Sequence, residues 1–263
     1  MSTADRIRTK IDRAGENIEE FQLRAAAFYR ANPHIVVGEE DLERGQRLWR
    51  VAVLPAIPTA LASVAADAIG NLMKPLDYIA SQIETAACGV KPKRHIYFPI
   101  GRDATHYETR RRACIKCAGK AAKDAFDAAE PYKGGRGHVL WQLHELNKPE
   151  KHDLPLAVSG GYRAFDIGPI LRDGLRDSGP DGFDVTTLPP LFLKPADRMC
   201  PLKVGDVLFL EPLEPKMQEE RKFLFDIAFD EPGVIECEPV LEALQKFSDA
   251  VSGILTAFEP LLP

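Results

Sequence analysis

The sequence predicts an α+β fold: an antiparallel helical bundle with a small, mostly antiparallel β-sheet and a C-terminal helix packing back on the bundle. Three observations predict it. Apolar residues recur every three or four positions near both ends of the chain and again between them. Runs of β-formers punctuated by Gly and Pro take over beyond Pro155. The composition, 45% apolar and 28% charged over 263 residues, is that of a folded chain long enough to bury a sizeable core. One domain over 1–263 is expected, with a helical part over 1–150 and 238–263 and a β-rich part over 155–230.

The first helix is marked by Ile7, Ile11, Ala14, Ile18, Phe21, Ala25 and Phe28, a narrow stripe that suits a bundle or a dimer seam. Ser2 or Thr3 caps its start and Asn32-Pro33 stops it. His34–Val37 and Arg47–Leu54 form a hairpin-like pair about an acidic turn of Glu39, Glu40, Asp41 and Glu43 with Gly45. A second helix runs from Pro58 to Ala87, burying Leu61, Ala65, Ala68, Leu72, Leu76, Ile79 and Ile83, with a kink expected at Pro75. Gly89–Gly101 is a loop holding Ile96-Tyr97-Phe98-Pro99-Ile100. Tyr107–Ala129 reads as one helix, Pro131–Gly137 as a glycine-rich loop and His138–Asn147 as a short helix. Strands are expected within Leu156–Ile167, Thr187–Leu193, Val204–Leu210 and Lys222–Ala228. Pro239–Phe258 is the closing helix, with Val240, Leu244, Phe247, Val251, Ile254 and Phe258 on one side.

Charge and cysteine content exclude several classes. A net charge of −5 argues against a protein that coats nucleic acid. Between Lys91 and Arg136, however, twelve Lys and Arg face five acids, leaving −12 for the remainder. This basic island is either an anion site or a solvated helix face. Met1–Arg13 has no apolar core of a secretory signal, and the longest uncharged stretch, Val51–Ala66, is too short and proline-broken to span a membrane. Five scattered cysteines suit reduced thiols, so the expected location is the cytoplasm. The lone Cys114-Ile115-Lys116-Cys117 sits inside the expected third helix with no second pair, so neither metal nor redox work is expected of it. No metal or cofactor is expected elsewhere.

The candidate chemistry lies in three places. Lys133, Gly134, Gly135 and Arg136 precede Gly137-His138 at a helix start, where backbone N–H groups and two cations can hold a phosphate. The competing reading is a helix-capping turn. His144 and His152 are a plausible general acid and base for phosphodiester cleavage, with Lys151 stabilising charge. The competing reading is two histidines satisfied by packing. Asp67, Asn71 and Asp77 are polar positions on the second helix, as suited to a structural hydrogen-bond network as to catalysis.

Four motifs in order carry a resemblance over nearly the whole chain. They are Asp67, Asn71-Leu72 and Leu76-Asp77; Phe98-Pro99-Ile100; Pro131-Tyr132 with Gly134-Gly135; and Leu140-Trp141, Leu143-His144, Leu146 and Lys151-His152. The sequence resembles a broad group of uncharacterised bacterial proteins, loosely similar to HEPN-type helical domains. That resemblance implies a homodimer and RNA chemistry. The chain departs from the group's pattern at Gly70, Met73, Tyr78, Asn147 and Glu150, and the HEPN Arg-to-His spacing has no matching pair. The function expected first is therefore a binding or regulatory protein. Its site would be built from Asp67, Asn71 and Asp77 with His144 and His152. The alternative is a metal-independent ribonuclease of defence or toxin type, with His144 and His152 as acid and base and the Lys133–His138 loop on phosphate.

Overall fold

The computed structural model describes residues 1–31, 34–90, 95–148, 156–168, 171, 191–193, 199–213 and 221–263. Asn32-Pro33, three cations of the basic island (Lys91, Lys93 and Arg94), Lys151, His152 and most of the expected Thr187–Leu193 strand lie outside the described residues. The fold class is as the sequence predicts: helices and antiparallel sheets, with the C-terminal helix on the helices.

Helix α1 (Thr3–Ala31) starts with a reciprocal cap. Ser2 Oγ accepts from the Asp5 N–H at 3.0 Å, and the Asp5 carboxylate accepts from the Ser2 N–H at 2.8 Å. Its stripe buries Ile7, Ala14, Ile18, Phe21 and Phe28 against α2 (Thr59–Cys88), so the residues that could have formed a dimer seam pack inside their own chain. Helix α2 runs unbroken through Pro75, whose ring is buried, and stops at Gly89. There φ is 68°, a left-handed conformation that glycine adopts without strain, and the Gly89 N–H caps Thr85 O. The closing helix α6 (Val240–Phe258) buries Val240, Leu244, Phe247, Val251, Leu255 and Phe258 against α2, α1 and the short α5 (His138–Leu146).

The expected single helix over Tyr107–Ala129 is two: α3 (Ala104–Cys114) and α4 (Lys120–Ala129). The break has a tertiary cause. Glu84 of α2, only 2% exposed, accepts the backbone N–H groups of Lys116, Cys117 and Ala118 at 2.8–3.1 Å. Those donors would otherwise belong to helix turns. Cys117 is also joined to Cys88 at the end of α2 by a disulfide, Cα–Cα 5.2 Å. This corrects one expectation: not all five thiols are reduced.

The strands form two antiparallel sheets. Strands β1 (Ile35–Asp41), β2 (Gln46–Val53) and β5 (Val207–Pro212) make one, in the order β1-β2-β5. Strands β3 (Val158–Asp166), β4 (Phe192–Leu193), β6 (Phe223–Glu231) and β7 (Ile235–Pro239) make the other, in the order β4-β3-β6-β7. The acidic residues Glu39, Glu40 and Asp41 are strand residues rather than turn; the turn is Leu42–Gly45. A small apolar cluster of Val51, Tyr162, Phe165, Leu202 and Leu208 draws on strands of both sheets. Beside it a buried ion pair, Arg221 on Glu211 through two N–H groups at 2.8 and 3.0 Å, takes a further hydrogen bond from Trp49 Nε1. Among the described residues no helix is long and apolar enough to cross a membrane.

Candidate functional site

Of the three polar positions on α2, Asp77 is the one that lines a cleft with His144. Asn71 turns toward α1, where its Nδ2 donates to Asn17 Oδ1 at 3.0 Å. Asp67 is exposed on the same side and acts on Arg13 of α1. Asp77 lies six residues beyond Asn71, about 240° around a helix of 3.6 residues per turn, and so faces elsewhere. The Phe98 N–H donates to its Oδ1 at 2.9 Å. Phe98 itself is buried against Phe126 and Phe258, at ring distances of 5.2 and 6.0 Å. The Phe-Pro-Ile patch is therefore an apolar anchor that docks the 95–101 loop against α4 and α6 and presents a backbone donor to Asp77 of α2.

Asp77 lines a cleft of about 270 Å³ with Met73, Tyr97, Phe98, Arg110, His144, Asn147 and Lys148. The cleft thus draws on α2, the 95–101 loop, α3 and the end of α5. Gly70 of α2 faces Asn147: a Cβ there would stand 3.8 Å from Asn147 Oδ1.

Burial governs both titrating groups. It pushes the Asp77 carboxyl up to about 6, against the opposing pull of the Phe98 N–H and the Arg110 cation. It pushes His144 down to about 4, helped by the positive charges of Arg110 and Lys148 and opposed by Glu145. His144 is consequently neutral at pH 7, one nitrogen a donor and the other an acceptor. His106, one turn before Arg110 on α3, also acts on His144; its Nδ1 accepts the Arg102 N–H at 3.2 Å. Lys148 is paired with Glu145 at 2.6 Å. Arg110 is different: its Nε is buried with no hydrogen-bond partner, and it makes no ion pair among the described residues.

The glycine loop is built otherwise than a phosphate cradle. Its N–H groups are consumed locally: Gly134 on His138 Nδ1, Gly135 on Tyr132 O, Arg136 on the Glu130 carboxylate, Gly137 on Glu130 O and His138 on Gly135 O. Lys133 donates to Gly233 O at 3.2 Å and lies 4.9 Å above the Trp141 ring. Arg136 is exposed beside Glu130 at 3.3 Å. His144 is six residues into the chain from His138, about 9 Å along the helix from this loop. Gly101 joins the loop to the Phe-Pro-Ile patch through a bridge to Tyr132. Any Cβ at Gly101 would come within 2.5 Å of the Tyr107 nitrogen.

The structure therefore joins Asp77 to His144, separates Asp67, Asn71 and the glycine loop from them, and leaves Lys151 and His152 outside the described residues. Sequence reasoning missed Arg110, Tyr97 and Lys148 as partners. The signal for Arg110 was its place in the basic island, four residues after His106 on one helix face. Compared with known proteins, the chain matches no family model, no curated protein and no solved structure.

Proposed function

We propose that this is a binding protein whose ligand is a small molecule bearing an oxyanion, phosphate or carboxylate, held in the Asp77–Arg110–His144–Lys148 cleft. The observation that carries this reading is the buried, partnerless Nε of Arg110 at the wall of an open cleft. A guanidinium is always charged and presents a fork of donors that an oxyanion matches with two parallel bonds. Leaving its Nε buried without a hydrogen-bond partner is unfavourable, and a ligand oxyanion removes that penalty. Neutral His144 can donate to the same anion or accept from a ligand hydroxyl, and Asp77 supplies an acceptor opposite.

Calorimetric titration with inorganic phosphate and with a nucleoside monophosphate tests this. Saturable binding that Arg110→Met weakens at least about tenfold supports it, since charge-assisted bonds of this kind are worth about 1.5–3 kcal/mol. Binding that is absent, or unchanged in Arg110→Met, overturns it.

A second reading, the HEPN-like ribonuclease, has one favourable observation: a neutral imidazole, His144, beside two cations. In it His144 takes the proton of the attacking 2′-hydroxyl, His152 protonates the departing 5′-oxygen as its bond to phosphorus breaks, and Arg110 stabilises the phosphorane charge. Cleavage of a mixed RNA pool in EDTA, lost in a normally melting His144→Ala variant, supports this reading. Intact RNA after wild-type incubation removes it.

A further inference from the structure

Cys88, the last residue of α2, and Cys117, in the turn between α3 and α4, are bonded across 29 positions of chain. The loop they close carries Tyr97, Phe98 and Arg110, which supply one side of the cleft. Cys117 is exposed, so a thiolate from solution can reach its sulfur. Behind the bond stands the buried Glu84 carboxylate, with Oε1 3.6 Å from Cys88 Sγ. A disulfide sulfur has no proton to donate to that oxygen, whereas a thiol has. The reduced state of Cys88 therefore finds an acceptor already in place. The other bonds of Glu84 go to the backbone N–H groups of Lys116, Cys117 and Ala118, which hold this turn on α2 by contacts that need no S–S bond. The same carboxylate thus serves both states of the pair.

We propose that Cys88–Cys117 is a reversible thiol–disulfide site, opened by a dithiol reductant, whose state sets how firmly the ligand cleft is held; the second part rests on the ligand reading above. In the step, one thiolate of the reductant attacks Cys117 Sγ. The Cys88–Cys117 bond breaks, and Cys88 leaves as a thiolate that takes up a proton. The second thiolate of the reductant then attacks the mixed disulfide, releasing Cys117, which is protonated in turn, and leaving the reductant as its cyclic disulfide. Two electrons pass from the dithiol to the pair, and two protons end on its sulfurs.

The full chain is equilibrated in mixtures of reduced and oxidised dithiothreitol, acid-quenched, unfolded, alkylated and weighed. Three of its five cysteines lie outside the bond, so the count of alkyl groups moves from three to five as it opens. The expected result is a transition at intermediate mixtures with the helical circular dichroism retained. Glu84→Gln, which removes the charged acceptor, moves the midpoint about fivefold toward the disulfide. A bond that opens only when the chain unfolds overturns the reversible site. Inorganic phosphate is then titrated into both forms and into the Cys88→Ser/Cys117→Ser variant. The reduced form and the variant should bind about fivefold more weakly than the disulfide form, because a loop held by non-covalent contacts alone has more freedom to lose on binding. Equal affinity in all three overturns the gating. If no form binds phosphate, the ligand reading and the gating fail together, while the alkyl count still decides the reversible couple.

Discussion

Asp77 and His144 titrate away from their ordinary values for the same reason, burial in one cleft, and with opposite consequences for stability. His144 takes its proton in the unfolded chain at about 6.5 but in the folded protein only at about 4, so acidification across that window favours unfolding. Asp77 is protonated at about 6 when folded and at about 3.8 when unfolded, so the same acidification favours folding. Each shift corresponds to about 3 kcal/mol, and in the wild type they offset one another. Two single variants should separate them in urea melts between pH 7 and pH 4. Relative to wild type, Asp77→Asn should lose about 3 kcal/mol as the pH falls from 6 to 4, and His144→Gln should gain about as much from 6.5 to 4. Parallel pH profiles for all three proteins would refute the buried placement of both groups. Arg110 yields a different signature. Because its Nε is buried without a hydrogen-bond partner, Arg110→Met should leave the melting temperature unchanged or raised while removing ligand binding.

The elements that place these groups are short and depend on single anchors. The 95–101 loop has no strand or helix of its own and is held by the Phe98 ring, which is 1% exposed between Phe126 of α4 and Phe258 of α6. Phe98→Ala should cost about 3–5 kcal/mol, read from denaturant midpoints. The same variant should weaken phosphate binding, because Tyr97 and the N–H that holds Asp77 move with the loop. A loss confined to stability, with affinity intact, would show that the loop does not position the cleft. Helix α3 relies on its Asp103 cap, which accepts the His106 N–H at 2.7 Å, and on the turn that Glu84 gathers at its other end. Those two contacts fix the direction of the helix that carries Arg110.

For the whole molecule, the covalent link between α2 and the α3–α4 turn matters beyond the cleft. Closing a loop across 29 positions removes chain entropy from the unfolded state worth about 3.5 kcal/mol in the loop-closure model. For a chain of this length that corresponds to roughly 7–14 °C in melting temperature. Scanning calorimetry of Cys88→Ser/Cys117→Ser against wild type should show a drop of that size, and reduced wild type should melt with the variant. An unchanged melting temperature would mean that the bond is not formed in solution. The helices and the β6–β7 side of the larger sheet share one apolar core, since Ile227, Phe229 and Ile235 pack with α6 residues such as Leu244 and Phe247. Loss of the tether should therefore lower the transition without splitting it.

Where burial repeats with a fixed period, the sequence alone was sufficient. The stripes from Ile7 to Phe28, Leu61 to Ile83 and Val240 to Phe258 determined three long helices and their buried faces, because a helix repeats every 3.6 residues whatever it packs against. The β-rich later half was legible for the same reason, though not its division into two sheets. Strand β5 resembles its neighbours in composition, and only its pairing with β2 assigns it. Asp77 and His144 were expected in one site with Asp67 and Asn71, but that Asp77 is the one of the three to meet His144 was not legible. Nor was the departure of Asn71 toward Asn17, since both depend on how far around α2 each residue points relative to helices distant in sequence. The break between α3 and α4 reversed a local preference for helix. An alanine- and lysine-rich stretch gave up one turn because a buried carboxylate from α2 captured three of its N–H groups. Periodicity is a local property and reports burial; the partner of a charge, a thiol or a backbone donor is a property of distance in space, which only the tertiary structure supplies.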